Sequence, residues 1–238
     1  ELVEMMESTG KIPTTSQPPL GDLIELFTDL SNQGKKVLMV TMSAGMSGTY
    51  QTACMAADQV MHEIKGADIR IINGKTCGCS LVGMAKAILE KADAGCDDMD
   101  ELERLGNDCV KRTKTYFTVD TLEYLRKGGR IGKAAALLGS IFGIRPILIM
   151  DKDGKVESID KLRTRKKVLQ KLIDLAGCEP DVEGFYVCGA LCQADMEMVV
   201  AKLKEVYPGV PYYQTSIGAV LTAHLGPGVI AVMVRVRE

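Results

Sequence analysis

Between residues 20 and 113 short apolar runs alternate with amphipathic helical segments, and this alternation narrows the possible folds more than any other feature. Leu23, Ile24, Leu26, Phe27 and Leu30 recur at helical spacing, and Gly34 stops the run. Val37–Met42 then reads as a short buried strand. A helix to about Lys65 separates it from a second strand, Ile69–Ile72. Ser80–Ala94 is predicted helical up to Gly95, and Asp98 with Glu101 forms a capping-box pair for a helix running towards Lys114. Two strands with a helix between them cannot pair through a tight turn. The chain must cross over and return in the same direction, which makes a parallel sheet. Residues 1–113 are therefore read as an α/β domain, with a helix fragment at 1–10 and a polar Thr- and Pro-containing loop at 11–19.

The remainder has a different rhythm. Thr115–Val119 reads as a strand, and Leu122–Lys127 and Lys133–Leu138 as short helices split by Gly128-Gly129. Arg145–Met150 and Lys155–Leu162 flank Asp151-Lys152-Asp153-Gly154, whose Asp-Gly favours a hairpin. Helices at Arg163–Ala176 and Asp195–Tyr207 alternate with strands at Gly184–Ala190, Tyr212–Ser216 and Val229–Val236. This pattern predicts an α+β domain over 114–238 whose antiparallel sheet is covered on one face.

Charge and composition exclude some functions. The 238 residues carry a net charge of -2, so no broad electrostatic attraction to nucleic acid is expected. Trp is absent and aromatics are 5%, too few for base-stacking surfaces. The best candidate for a membrane span, Leu137–Met150, is interrupted by Gly139, Ser140, Gly143, Arg145 and Pro146, so no transmembrane segment is expected. The eight Cys do not follow a disulfide module, and a reducing cytoplasm is the expected location. Cys77-Gly78-Cys79 lacks the two-residue spacer of redox and zinc motifs, and with two His in the chain no metal site is expected.

Candidate chemistry lies in the loops. Ser43-Ala44-Gly45-Met46-Ser47-Gly48 follows a strand and opens a helix. Small residues there let an anion approach unpaired helix N–H groups, with Ser43 and Ser47 as added donors. An ordinary Ser-capped helix start is the alternative. Thr14-Thr15-Ser16-Gln17-Pro18-Pro19 is a second hydroxyl cluster before a helix. Arg126-Lys127-Gly128-Gly129-Arg130 is a basic turn. Arg163, Arg165, Lys166 and Lys167 crowd a helix start, the unfavourable end for cations, which points to an anionic partner or to a merely solvated face. His224 stands alone in Ala223-His224-Leu225-Gly226-Pro227-Gly228. Asp58, Asp68 and Asp120 look isolated, without a carboxylate pair.

Thr15-Ser16-Gln17-Pro18, the Ser43–Tyr50 loop, the stretch from Asp120 to Lys133 and His224-Leu225-Gly226-Pro227-Gly228 together resemble the DegV family across most of the chain. The resemblance implies an α/β domain followed by a domain with an antiparallel sheet, and a long-chain fatty acid as ligand. It places the carboxylate near Thr15, Ser16, Ser43, Ser47 and His224, with an Arg such as Arg130 nearby. It further implies a carrier that is not itself an enzyme, needs no cofactor and presents the acid to a fatty-acid kinase; Arg163, Arg165 and Lys166 are then the expected docking residues. Burying ~14 methylenes would supply roughly 11 kcal/mol before the costs of association. Two departures stand out. Relatives usually begin with a strand and an Asp-Ser-Thr turn that this chain does not contain, and many have two Ser where Ser43-Ala44 stands. Two other readings compete. One is a dihydroxyacetone-kinase-like or hydrolase-like enzyme using His224 with Ser43 or Ser47; the other is a lipid-sensing regulatory module.

Overall fold

The computed structural model describes residues 1–139 and 143–237. Part of the interrupted apolar stretch, residues 140–142, lies outside the described residues. The chain forms two compact bodies. The smaller comprises Ser16–Cys77 and Leu81–Lys111; the larger comprises Glu1–Thr15, Gly78–Ser80 and the chain from Arg112 onward. The break at 111/112 is two residues from the boundary read in the sequence. Residues 1–15 belong with the C-terminal part instead of the first domain.

In the smaller body, β1 (Val37–Thr41) and β2 (Ile69–Asn73) pair in parallel, Val37 opposite Ile69 and Thr41 opposite Asn73. The helices of this body are α2 (Leu20–Asn32), α3 (Thr49–Glu63), α4 (Ser80–Asp93) and α5 (Met99–Arg112). Apart from Arg70 and the end residues Thr41 and Asn73, the strands are apolar, because both faces are covered. Val37, Met39, Ile69 and Ile71 pack with Leu23 and Phe27 of α2 and with Ala53, Ala56, Ala57 and Val60 of α3. Leu38, Val40 and Ile72 face the other way, towards Ile88 of α4 and Met99 and Leu102 of α5. Alternate residues thus serve opposite layers, as the pleat requires. Asp98 caps α5 by accepting the Asp100 and Glu101 N–H groups. Half of the expected capping box is missing: the Glu101 carboxylate pairs with Lys91 at 2.8 Å.

The larger body opens with α1 (Leu2–Thr9), which packs on α9 (Ala219–Leu225). Its sheet contains β3 (Thr113–Thr118), β4 (Arg145–Met150), β5 (Val156–Leu162), β6 (Val182–Gly189), β7 (Tyr212–Ser216) and β8 (Ile230–Val236). The order is β5-β4-β3-β8-β6-β7. Short helical segments at α6 (Glu123–Lys127) and Gly132–Leu137 lie between β3 and β4. One face is covered by α7 (Arg165–Gly177) and α8 (Gln193–Val206). Val168, Leu169 and Leu172 of α7 and Met196, Val199 and Leu203 of α8 pack on Ile147, Phe185, Val187, Ile230, Val232 and Val234.

The expectation of an antiparallel sheet needs one correction. All pairings are antiparallel except β6–β7, which is parallel because α8 carries the chain back to its starting end. The sheet is therefore mixed, and the chain is a mixed α/β protein. The helix α9 was not anticipated, since its seven residues are too few to display a period. Among the described residues no helix is long and apolar enough to cross a membrane.

Candidate functional site

Two expected site residues, 209 positions apart, meet in the larger body. Thr15 Oγ1 lies 2.7 Å from Nε2 of His224. His224 sits in the last turn of α9 and is 9% exposed. Its Nδ1 is buried and has no hydrogen-bond partner among the described residues. The ring fits because residue 128 is glycine: a Cβ there would overlap Nδ1. Burial pushes the His224 pKa below its ordinary value, and the nearby Arg130 charge pushes it further the same way. The imidazole is therefore neutral near pH 7. Arg130 is itself held over the turn by donating to the Gly128 carbonyl at 2.7 Å.

A neutral imidazole has one N–H, and threonine has one O–H. Their mutual hydrogen bond uses only one of these two protons. If Thr15 donates to Nε2, the proton left over is on Nδ1. If Nε2 donates to Thr15, it is on the hydroxyl. In both tautomers the pair retains one donor beyond its internal bond, beside a guanidinium. Where that donor is the buried Nδ1–H, leaving it without an acceptor is costly. An anionic oxygen is the complement this arrangement lacks.

The serine loop belongs to the smaller body and is differently organised. Ser43 is fully buried. Its N–H donates to the Thr76 carbonyl at 2.8 Å, and its Oγ accepts the Gly45 N–H at 3.0 Å. The Met46 and Ser47 N–H groups return to the Ser43 carbonyl. Ser47 Oγ accepts the Thr49 N–H at 3.3 Å and shares a hydrogen bond with Thr49 Oγ1 at 2.9 Å, closing the first turn of α3. Asn73 was missed in the sequence. Its Oδ1 accepts the N–H groups of both Ala44 and Lys75, joining the loops that follow β1 and β2. An Asn-Gly pair ending a strand was the available signal. Ser16, one residue past Thr15, is exposed and also belongs to the smaller body.

The basic cluster at 163–167 is not uniform. Thr164 caps α7 by accepting the Lys167 N–H, so Arg163 stands outside the helix. Arg165 is committed internally. Its Nε donates to Asp195 at 2.8 Å, and one terminal nitrogen reaches the Gly228 carbonyl at 2.7 Å and Asp120 at 3.2 Å. Arg145 also pairs with Asp120. Asp120 is thus no isolated carboxylate, and folding accounts for an arginine at this helix start. The same bonds secure the loop between α9 and β8, where the Gly228 N–H donates to Ala190 at 2.8 Å. Arg163, Lys166 and Lys167 remain exposed.

Fold and site together define a class: a mixed α/β protein in which one body has a two-stranded parallel sheet and the other a six-stranded mixed sheet with a buried imidazole bonded to a half-buried hydroxyl. The chain belongs to the DegV family, whose profile, described as "Uncharacterised protein, DegV family", matches residues 1–237. It is similar to Protein DegV of Bacillus subtilis, 32% identical over 237 residues that cover 96% of this chain and 81% of the relative. Among solved structures it is similar to a fatty acid binding DegV family protein from Streptococcus agalactiae. That match has a TM-score of 0.87 and 23% identity and covers 100% of this chain and 83% of the other. The crystal structure of DegV from Bacillus subtilis, described as a fatty acid binding protein, matches with a TM-score of 0.85 and 26% identity, covering 99% of this chain and 83% of the other.

Proposed function

We propose that the protein binds one long-chain fatty acid and that the Thr15–His224 pair holds its carboxylate. The observation that carries this reading is the donor that the pair cannot satisfy internally. Arg130 adds positive charge next to it. Relatives of the same fold support the acyl ligand: the Bacillus subtilis structure is described as fatty acid binding, and a relative from Eubacterium eligens is described as loaded with heptadecanoic acid. Ser16, Ser43 and Ser47 are proposed as secondary donors, to be separated from the primary pair by mutation.

The finer part of the reading is a cytoplasmic carrier that presents the bound carboxylate to a partner kinase. Arg163 and Lys166 are its proposed docking residues, with Arg165 reassigned to the internal network. The competing reading is a hydrolase-like or kinase-like enzyme built on His224. A catalytic base needs a group to orient it, and Nδ1 of His224 meets no carboxylate among the described residues. That favours binding over nucleophilic catalysis.

Native mass spectrometry of the purified protein, followed by uptake of added palmitate or oleate, tests the binding. One acyl chain per protein is expected. Thr15→Val should weaken uptake about 10- to 150-fold, the equivalent of about 1.5–3 kcal/mol for a hydrogen bond to a charged group. Absence of any stoichiometric acyl chain before and after loading would falsify the reading. Steady ester or ATP turnover abolished by His224→Ala would replace it with the enzyme.

A further inference from the structure

Three sulfur atoms converge inside the larger body, on the sheet face opposite α7 and α8. Val187, Val232 and Val234 point towards those helices. Cys188 of β6 is paired with Ala231 of β8, so Cys188 and Met233 are diagonal neighbours on the other face. The third sulfur arrives from the Gly78–Ser80 segment that leads into α4. Cys79 Sγ lies 3.6 Å from Met233 Sδ. Gly78, at φ +76°, makes this approach possible. A Cβ at that position would lie 3.2 Å from Cys188 Sγ and 3.3 Å from Met233 Cε. All three sulfur side chains are nearly fully buried, at 4% exposure for Cys79 and 2% for Cys188 and Met233.

We propose that Cys79, Cys188 and Met233 form a binding site for a soft monovalent metal ion, copper(I). Three sulfurs coordinating one ion at about 2.3 Å in a plane stand roughly 4 Å apart, close to the observed Cys79–Met233 separation. Thiolate and thioether donors together select copper(I). A disulfide would use only the two thiols, and the thioether gains a role only as a third ligand. Harder ions are poorly served, since no group of three His, Cys, Asp or Glu among the described residues is placed to hold a metal. On binding, two S–H bonds break, two Cu–S bonds form with the thiolates, the Met233 thioether donates a lone pair, and two protons leave to solvent. The copper remains copper(I) throughout. The sequence hid this set because its three ligands come from a loop and two separate strands.

The test is an anaerobic titration of the reduced full-length protein with copper(I) against bicinchoninate as competing chelator. One tightly held ion per chain is expected, with a sulfur-only first shell at about 2.3 Å by X-ray absorption. Cys188→Ser should abolish the tight equivalent. Met233→Leu, which preserves side-chain size, should weaken it at least tenfold and remove one sulfur from the shell. Cys96→Ser, a remote thiol, should leave it unchanged. Zinc(II) in excess should not displace the copper. The site is overturned if the wild-type protein cannot compete with the chelator, or if the tight equivalent survives in Cys188→Ser. It is equally overturned if Met233→Leu leaves affinity and spectrum as they were, and that variant decides the matter should Cys188→Ser fail to fold.

Discussion

Two polar sites, one in each body, are organised in opposite ways. In the smaller one, the hydroxyls and amides at the strand ends satisfy one another: Ser43 serves Gly45, Ser47 serves Thr49, and Asn73 serves Ala44 and Lys75. In the larger one, a histidine is buried with an unpartnered nitrogen, beside a threonine that cannot absorb both available protons. The first pattern is what stable loops require. The second is uneconomical for folding alone. A loop rich in serine is therefore a weaker mark of a ligand than a buried polar atom left without a bond.

This contrast can be broken by mutation, and the largest effect should come from the core. Phe27→Ala in the smaller body removes a side chain that is 1% exposed, and should lower unfolding free energy by about 3–5 kcal/mol in denaturant titration. Next in size, Arg165→Met should cost about 2–3 kcal/mol, because it strips charged hydrogen bonds from Asp195 and Asp120 and frees the Gly228 carbonyl. It should also loosen acyl binding through the His224 loop; unchanged binding would separate that loop from the site. Ser47→Ala should cost about 1 kcal/mol through the lost hydrogen bonds to Thr49 at the start of α3, measured by thermal melting. An accompanying fall in acyl affinity as large as that of Thr15→Val would erase the distinction between the bodies and make the serine loop an anion site.

The smallest effect is a pH dependence. The His224 pKa lies below 6.5 in the folded protein, so the unfolded chain binds more protons between the two values. The stability this contributes is fully present above pH 6.5 and is lost as pH falls through the folded pKa. In His224→Gln that component of the acid slope should vanish. A slope that persists unchanged would assign the titration to another group.

Much of this was legible beforehand where one physical cause acts locally. The apolar runs read at Val37–Met42 and Ile69–Ile72 fall on β1 and β2, strands covered on both faces, and hydrophobicity alone locates them. The hairpin of β4 and β5 follows from Asp153-Gly154. The parallel β6–β7 pair was missed because strand direction depends on where α8 returns the chain, which no local propensity encodes. Arg165 looked misplaced at a helix start because Asp120 and Asp195, its partners, lie 45 and 30 residues away. Thr15 and His224 were named through family resemblance. Their contact, and the unsatisfied nitrogen that gives it meaning, emerge only from tertiary structure.

The 209-position separation of Thr15 and His224 also sets a timetable. At about 5–20 residues per second, a ribosome that has made Thr15 needs roughly 10–40 s more to reach His224. Through that interval the threonine has no imidazole to meet. A nascent chain, or one truncated before α9, cannot assemble the pair however well its earlier strands have formed, so lipid-binding competence would be among the last properties the growing protein acquires.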